Sequence, residues 1–449
     1  MKASSSGLSS DLAGGSDTIV ARATPAGRGA LALIRVSGPT ALDCARHVCG
    51  GAVFGDGWKV SLTTLRDAKG DVLDRGVLVS YPKPRSYTGE DMLEISVHGS
   101  PFLVDAVVES FIAAGARAAE PGEFTRRAVA NGKLDLVQAE AVGDMVVADT
   151  AWQHRNAREQ LLGALSERFG QLRTSLVTAL GAAETALDYE AQGVEVPRAE
   201  LAAHVGQSLR QIRSLLATAG AGARIRDGLQ VAILGPPNAG KSTLFNYLCG
   251  SERAIVSPHP GTTRDVLQAE LDVNGIRIVV QDTAGLRVGG DEVEIEGRRR
   301  AQAAASAADL AVLLWAMDGG DEPSAGVVAG EQPVIRVRSK ADLSPGTPVD
   351  PGWLRLSCHS GEGLDVFRRE LTRSARGDIA DLGGATAIAE RHRRALEVAG
   401  RELEECDLRL PETIAESLRW ALRSIDHLIG EVVTEDVLDE VFSSFCIGK

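Results

Sequence analysis

The chain has 449 residues, of which 44% are hydrophobic and 24% charged, and a formal net charge of −13, a globular composition with room for two to four domains. No stretch approaches the roughly 18 unbroken apolar residues that a membrane span needs. The acidic balance argues against broad, sequence-blind phosphate binding, which depends on a large basic surface, and leaves nucleic-acid contact to local patches or a partner.

The opening MKASSSGLSSDLAGGSD has neither the apolar core of a signal peptide nor the arginines of a transit peptide, so residues 1–16 are expected to form a disordered extension. Six cysteines (Cys44, Cys49, Cys249, Cys358, Cys406 and Cys446) make no CxxC pair, which argues against zinc and redox motifs and for a cytoplasmic protein. From 17 to about 130, short β-type runs (DTIVARAT, ALALIRVSG, GVLVSYP, MLEISVHG) alternate with turn signals. From about 135 to 225 the pattern becomes helical: Leu161, Leu165, Phe169, Leu172, Leu176 and Leu180 recur at three and four residues, as do Leu201, Val205, Leu209, Ile212 and Leu216. From 227 to 375 strands and helices alternate, which predicts βαβ units around a parallel sheet. Helical periodicity then resumes, with Leu418, Leu422, Ile425 and Ile429 on one expected face. The basic runs Arg298–Arg300 and Arg391–Arg394 read as solvated helix faces. An α/β domain at 227–375 is therefore expected inside a helical domain split into 135–226 and 376–449, behind an α+β domain at 17–134.

The strongest local signal is GLQVAILGPPNAGKST. An apolar strand, Leu229 to Leu234, runs into a G-x-x-x-x-G-K-S match in which Asn238, Ala239 and Gly240 lead to Lys241, Ser242 and Thr243. Such a loop wraps phosphates with backbone N–H groups, the lysine supplies a point charge, and the serine hydroxyl can ligate magnesium. In GTTRD, Thr262 and Thr263 are placed to sense the γ-phosphate and magnesium. DTAG, with Asp282, Thr283, Ala284 and Gly285, follows an expected strand from Ile276 to Val280 and puts Asp282 where a magnesium-shell carboxylate belongs. VIRVRSKAD places Ser339, Lys340 and Asp342 after another strand, with Asp342 set to accept the guanine N1–H and amino group, and WLRLSCH brings Ser357, Cys358 and His359 beside the base. Ser339 stands where such domains usually have Asn, and Cys358 where Ala is usual. No glutamine follows DTAG, so a water-orienting carboxylate is sought among Glu292, Glu294 and Glu296. Asn238 can help hold a monovalent cation, whose charge would replace an arginine finger.

Two features lie outside this set. On MLEISVHG, Glu94, Ser96 and His98 share one strand face and Leu93, Ile95 and Val97 the other. The chain ends in FSSFCIGK, where Val437, Val441, Phe442 and Phe445 give the last helix an apolar side that can dock it. Docking delivers Cys446 as a nucleophile or acid–base group, or else as part of a structural plug.

Assembled, these residues resemble the MnmE (TrmE) family of tRNA-modification GTPases. The likeness runs from Asp17 to Lys449 through DTIVARATPAGRGALALIRVSG, PRSYTGEDMLEISVHG, PGEFTRRAVANGKLDLVQAEA, GPPNAGKST, GTTRD, DTAGLR and FSSFCIGK. The resemblance implies a folate-binding, dimer-forming first domain like those of one-carbon transfer, and a P-loop GTPase domain inserted in the helical one. It implies a homodimer whose G domains close on potassium and GTP. It also implies an FAD-dependent partner, MnmG (GidA), and a tetrahydrofolate one-carbon unit. The modification expected is an aminomethyl or carboxymethylaminomethyl group on carbon 5 of a tRNA wobble uridine. Residue by residue, it gives Asn238, Ser257, His259 and Thr262 to potassium, Ser242 and Thr263 to magnesium, and Glu294 to the attacking water. Arg35, Glu94, Lys133 and Lys449 go to folate. The chain departs from the family's common form at Pro236, and at Pro258 and Pro260 around His259. The competing expectations are a regulatory GTPase that binds ribosomal RNA or assembly factors without modification chemistry, and a folate-binding scaffold whose GTPase only times partner release.

Overall fold

A computed structural model describes residues 17–50, 58–191, 198–251, 253–254, 267–282, 306, 308–319, 332–380, 386–432, 435–443 and 445–449. It divides into two compact units, one of 1–146, 160–208 and 401–449, the other of 147–159 and 209–400. The extension expected at 1–16 lies outside the described residues.

In the first unit, period-two alternation builds a six-stranded sheet. Its strands are β1 (Ile19–Arg22), β2 (Leu31–Ser37), β3 (Lys59–Arg66), β4 (Val72–Tyr81), β5 (Met92–His98) and β6 (Arg117–Ala118), in the order β3-β4-β5-β2-β1-β6. Ala32, Ile34 and Val36 of β2 and Leu93, Ile95 and Val97 of β5 turn to one face. There they meet Val104, Val107 and Phe111 of the helix Pro101–Ala113 and Ala41 and Ala45 of the helix Ala41–Val48. On the opposite face β2 and β5 pair so that Arg35 lies across from Glu94.

An ion-pair network fastens this sheet to the helix Glu123–Ala130. The buried Arg127 bonds Asp17 at 2.8 Å, Glu123 at 2.9 Å and Glu90 at 3.2 Å. Arg117 meets Glu123 at 2.6 Å. The long helix Ala164–Ala191 packs along Pro411–Ile429, with Arg173 reaching Asp426 at 2.6 Å. Helical segments on either side of the α/β region thus lie against each other, as an inserted domain requires. The buried stripe of Pro411–Ile429 runs through Ile414, Leu418, Ala421, Ile425 and Leu428. Leu422 and Ile429 are only partly covered, so the apolar face is rotated from the expected one.

In the second unit, seven strands form a sheet in the order β13-β12-β11-β7-β10-β9-β8. They are β7 (Leu229–Leu234), β8 (Arg253–Ala254), β9 (Leu267–Val273), β10 (Ile276–Asp282), β11 (Leu310–Ala316), β12 (Val334–Ser339) and β13 (Trp353–Arg355). Pairing is parallel from β13 through β10, as the βαβ reading predicts. The sheet is nevertheless mixed, because β9 returns antiparallel to β10 through the tight turn at Asn274–Gly275 and β8 pairs antiparallel to β9. The central strands are apolar on both faces, the mark of a covered parallel sheet.

Candidate nucleotide site and a second polar site

β7, β10, β11 and β12 all point their carboxyl ends to one edge, where open α/β sheets bind ligands. The phosphate loop leaves β7 there and enters the helix Lys241–Ser251. Gly235 adopts φ +145°, and a Cβ would sit 2.3 Å from the Leu314 carbonyl oxygen, so the close approach to β11 requires glycine. Asn238 is left-handed at φ 65° and exposed. The Lys241 ammonium donates to the carbonyls of Gly235 and Pro236, both at 2.8 Å. Ser242 and Thr243 are exposed on the first turn of the helix.

At the end of β12 the Ser339 hydroxyl donates 2.6 Å to the Ala239 carbonyl, crossing 100 residues of sequence to join this loop to the phosphate loop. The backbone then turns left-handed at Lys340, φ 59°, whose amine reaches Asp318 at 3.2 Å. Asp342 accepts the Ser357 hydroxyl at 2.5 Å. That bond holds its carboxyl below the ordinary carboxylate range. Ser357 in turn accepts the N–H groups of His359 at 3.2 Å and Ser360 at 3.1 Å. Burial, and then the charge of Asp342, push the Cys358 thiol up to about 11, which keeps it neutral. Asp282 ends β10, in register with Ile233 beside the phosphate loop. The structure therefore gathers Asn238 to Thr243, Ser339, Lys340, Asp342, Ser357, Cys358 and His359 within one unit. Ser257, His259, Thr262, Thr263, Thr283, Ala284, Gly285 and Glu294 lie outside the described residues, as do Glu292 and Glu296.

In the first unit a second polar cluster forms on the outward sheet face. Arg35 donates to Glu94 Oε1 through Nε at 3.1 Å and Nη2 at 2.7 Å. Its Nη1 donates to the Gly448 carbonyl at 3.0 Å. The guanidinium lies 5.5 and 5.6 Å from the ring centroids of Tyr87 and Phe124. The Tyr81 hydroxyl donates to Glu94 Oε2 at 3.1 Å. Lys133 is exposed and bonds the Pro84 carbonyl at 3.2 Å.

The tail reaches this cluster because its apolar residues are buried first. Leu438, Val441 and Phe442 of the helix Glu435–Phe442 pack with Leu136 and Ala139, and Phe445 joins them. The backbone continues past Pro121, which bridges Ile447, and the Phe124 N–H donates to the Lys449 carbonyl at 3.1 Å. Gly448 has φ +94°, and a Cβ there would meet the Arg22 carbonyl oxygen at 2.4 Å. Burial, and then Arg35, lower the pKa of the Lys449 amine. Cys446 is exposed, and its carbonyl accepts the N–H of Gly122. The sequence reading missed Tyr81, Tyr87 and Phe124 of this cluster; for Tyr81 the signal is strand parity, two residues after Val79, which pairs with Glu94.

A parallel sheet with a glycine-bearing phosphate loop at its carboxyl edge, tied to an Asp-bearing loop that ends the next-but-one strand, defines a P-loop GTPase domain. The model of the TrmE N-terminus, described as that of a GTP-binding protein, matches residues 18–133, and that of the MnmE helical domain matches 136–446. A tRNA modification GTPase MnmE of Rhodopseudomonas palustris is 41% identical over 441 residues, covering 96% of this chain and 99% of that protein. The proteins of the same name from Halorhodospira halophila and Granulibacter bethesdensis are 41% and 39% identical, each over 96% of this chain and over 96% and 99% of their own lengths. The chain belongs to the MnmE (TrmE) family of tRNA modification GTPases, and is a GTP hydrolase of tRNA modification. Among the described residues no helix is long and apolar enough to cross a membrane.

Proposed function

We propose that GTP hydrolysis by this protein drives addition of an aminomethyl or carboxymethylaminomethyl group to carbon 5 of the wobble uridine of certain tRNAs. The work is shared in the cytoplasm with an FAD-dependent partner of the MnmG (GidA) type, and the one-carbon unit comes from a tetrahydrofolate. The parts assigned are a folate-binding and dimer-forming domain at 17–134, a split helical domain at 135–226 and 376–449, and a G domain at 227–375.

The nucleotide half is supported by the Ser339–Ala239 bond, which joins the loop that carries Asp342 to the phosphate loop. The donors fit a magnesium–nucleotide complex: Lys241 holds two carbonyl oxygens where phosphate oxygens would compete, and Ser242 leads the helix with its hydroxyl exposed. Ser242 and Thr263 would hold the magnesium ion, which would supply charge neutralisation. Asp342 pairs with the guanine N1–H and amino group, Lys340 flanks the base, and Glu294 orients the attacking water. Asn238, with Ser257, His259 and Thr262, would hold a potassium ion, whose charge would replace that of an arginine finger when two protomers of a homodimer meet.

The folate half is supported by the aromatic-flanked Arg35–Glu94 pair, whose carboxylate suits the N–H edge of a pterin. Lys133 and Lys449 are the flanking cations. Cys446 is assigned to the modification chemistry, supported by its exposure next to a tail anchored by the buried Phe442 and the partly buried Phe445. Mass spectrometry of tRNA nucleosides from a deletion strain tests the whole reading. Loss of the modified wobble uridine with normal ribosome profiles is expected. Intact modification with defective ribosome assembly would transfer the chain to the regulatory class. Cys446→Ser in cells is expected to abolish the modified uridine; unchanged modification removes the thiol's chemical role.

A further inference from the structure

The outward sheet face holds more around Glu94 than the family likeness assigns. Both Arg35 bonds to this carboxylate fall on Oε1, while Oε2 accepts the Tyr81 hydroxyl. Glu94 is thus fixed from two sides: Oε1 is filled by the two Arg35 bonds, and Oε2 keeps a lone pair for a further donor. Tyr81 reaches it by register: Val79 lies opposite Glu94 and Tyr81 opposite Met92, so these side chains share a face. Burial, and then Glu94, raise the pKa of the Tyr81 phenol, which stays protonated and donating at neutral pH.

Trp58 stands edge-on to Tyr81, with ring centroids 5.5 Å apart and an interplanar angle of 77°. Its indole N–H donates to the Arg85 carbonyl at 2.7 Å. The same loop supplies the Pro84 carbonyl that holds Lys133. Although its N–H is bonded, Trp58 is 67% exposed, which leaves much of a large apolar ring uncovered beside a polar cluster. With Tyr87 and Phe124 flanking Arg35, the surroundings suit a flat heterocycle whose edge carries an N–H donor and whose faces are apolar.

We propose that Trp58 and Tyr81 belong to this site: Tyr81 positions the free lone pair of Glu94 Oε2 to accept the amino N–H of a pterin, and Trp58 covers the pterin ring. This rests on the folate reading above and extends it to two further residues. The full-length protein is titrated with 5-formyltetrahydrofolate and with its 2-desamino analogue, following heat and tryptophan emission. Tyr81→Phe is expected to weaken the folate about tenfold or more, as loss of a hydrogen bond to a charged group implies. It also narrows the preference for the folate over the analogue, which a merely structural change would leave in place. Trp58→Phe is expected to weaken binding about three- to tenfold and to erase the ligand-induced change in emission. Thermal melting monitors folding, and Trp58→Phe, on an exposed side chain, carries the test if Tyr81→Phe does not fold. A wild-type protein that binds no reduced folate overturns the folate reading and this proposal together. Wild-type binding with both variants within twofold, selectivity and emission change intact, overturns the proposal alone.

Discussion

Replacing Ser339 by Ala removes one oxygen atom and isolates the link between the two halves of the nucleotide site. The Ser339 side chain is 4% exposed and Ala239 1% exposed, so water cannot freely replace the lost bond at the Ala239 carbonyl. A buried acceptor left without its donor costs about 1–3 kcal/mol. At 1.4 kcal/mol per tenfold, the full cost corresponds to about a 5- to 150-fold loss if it is expressed entirely in nucleotide binding. The rest appears as lower stability of the nucleotide-free protein. Titration with a fluorescent GDP analogue gives the first part, and melting with and without GDP gives the second. The account predicts weaker binding of GTP and GDP alike, because Ala239 belongs to the loop that wraps the phosphates common to both. If Ser339→Ala binds GDP within twofold of wild type and melts at the same temperature, the tether contributes nothing and the reasoning fails.

Asp342→Asn should exchange guanine preference for xanthine, seen as hydrolysis of xanthosine triphosphate in place of GTP; retained GTP preference would remove Asp342 from base recognition. Because the Ser357 hydroxyl depresses the Asp342 pKa, GDP affinity should hold constant as pH falls from 8 to 5 and weaken only below the ordinary carboxylate range, which a titration series can follow. Arg127→Ala leaves Glu123, Glu90 and Asp17 without their shared cation and should cost about 3–5 kcal/mol in urea denaturation. In the wild type, burial opposes ionisation of Asp17 and Glu123, but Arg117 and Arg127 outweigh it and depress both carboxyls. Their contribution is therefore present above the unfolded values of about 4 and is lost as pH falls through the lower folded values. Arg127→Ala should accordingly flatten the acid limb of the stability curve.

The parts of the molecule legible from sequence were those written in short-range pattern. The phosphate loop, the alternation on β5 and the repeat through Leu165, Phe169, Leu172 and Leu176 each concern a few consecutive turns or pleats, and each has its expected burial. The strand β3 was not picked out, because Val60 and Leu62 lie on its exposed face and its pattern does not resemble a half-buried edge. The stripe of Pro411–Ile429 came out rotated because Ala421 is small enough to be passed over and yet is fully buried against the neighbouring helix. Contacts across long stretches of chain were out of reach: Ser339 to Ala239, Arg127 to Asp17 and Arg35 to Gly448 are side-chain choices that only the assembled sheet brings together. The serine in the Asn position reads as a defect in the sequence, whereas in the fold its hydroxyl reaches the phosphate loop directly.

As proposed above, a monovalent cation beside the phosphate loop would complete catalysis when nucleotide-loaded protomers meet. It is tested most directly by GTP turnover of the full-length protein in matched potassium and sodium buffers, with molecular mass followed during the reaction. The account predicts turnover at least about tenfold faster in potassium, together with nucleotide-driven association. Equal rates in the two salts, with no change in mass, would contradict it.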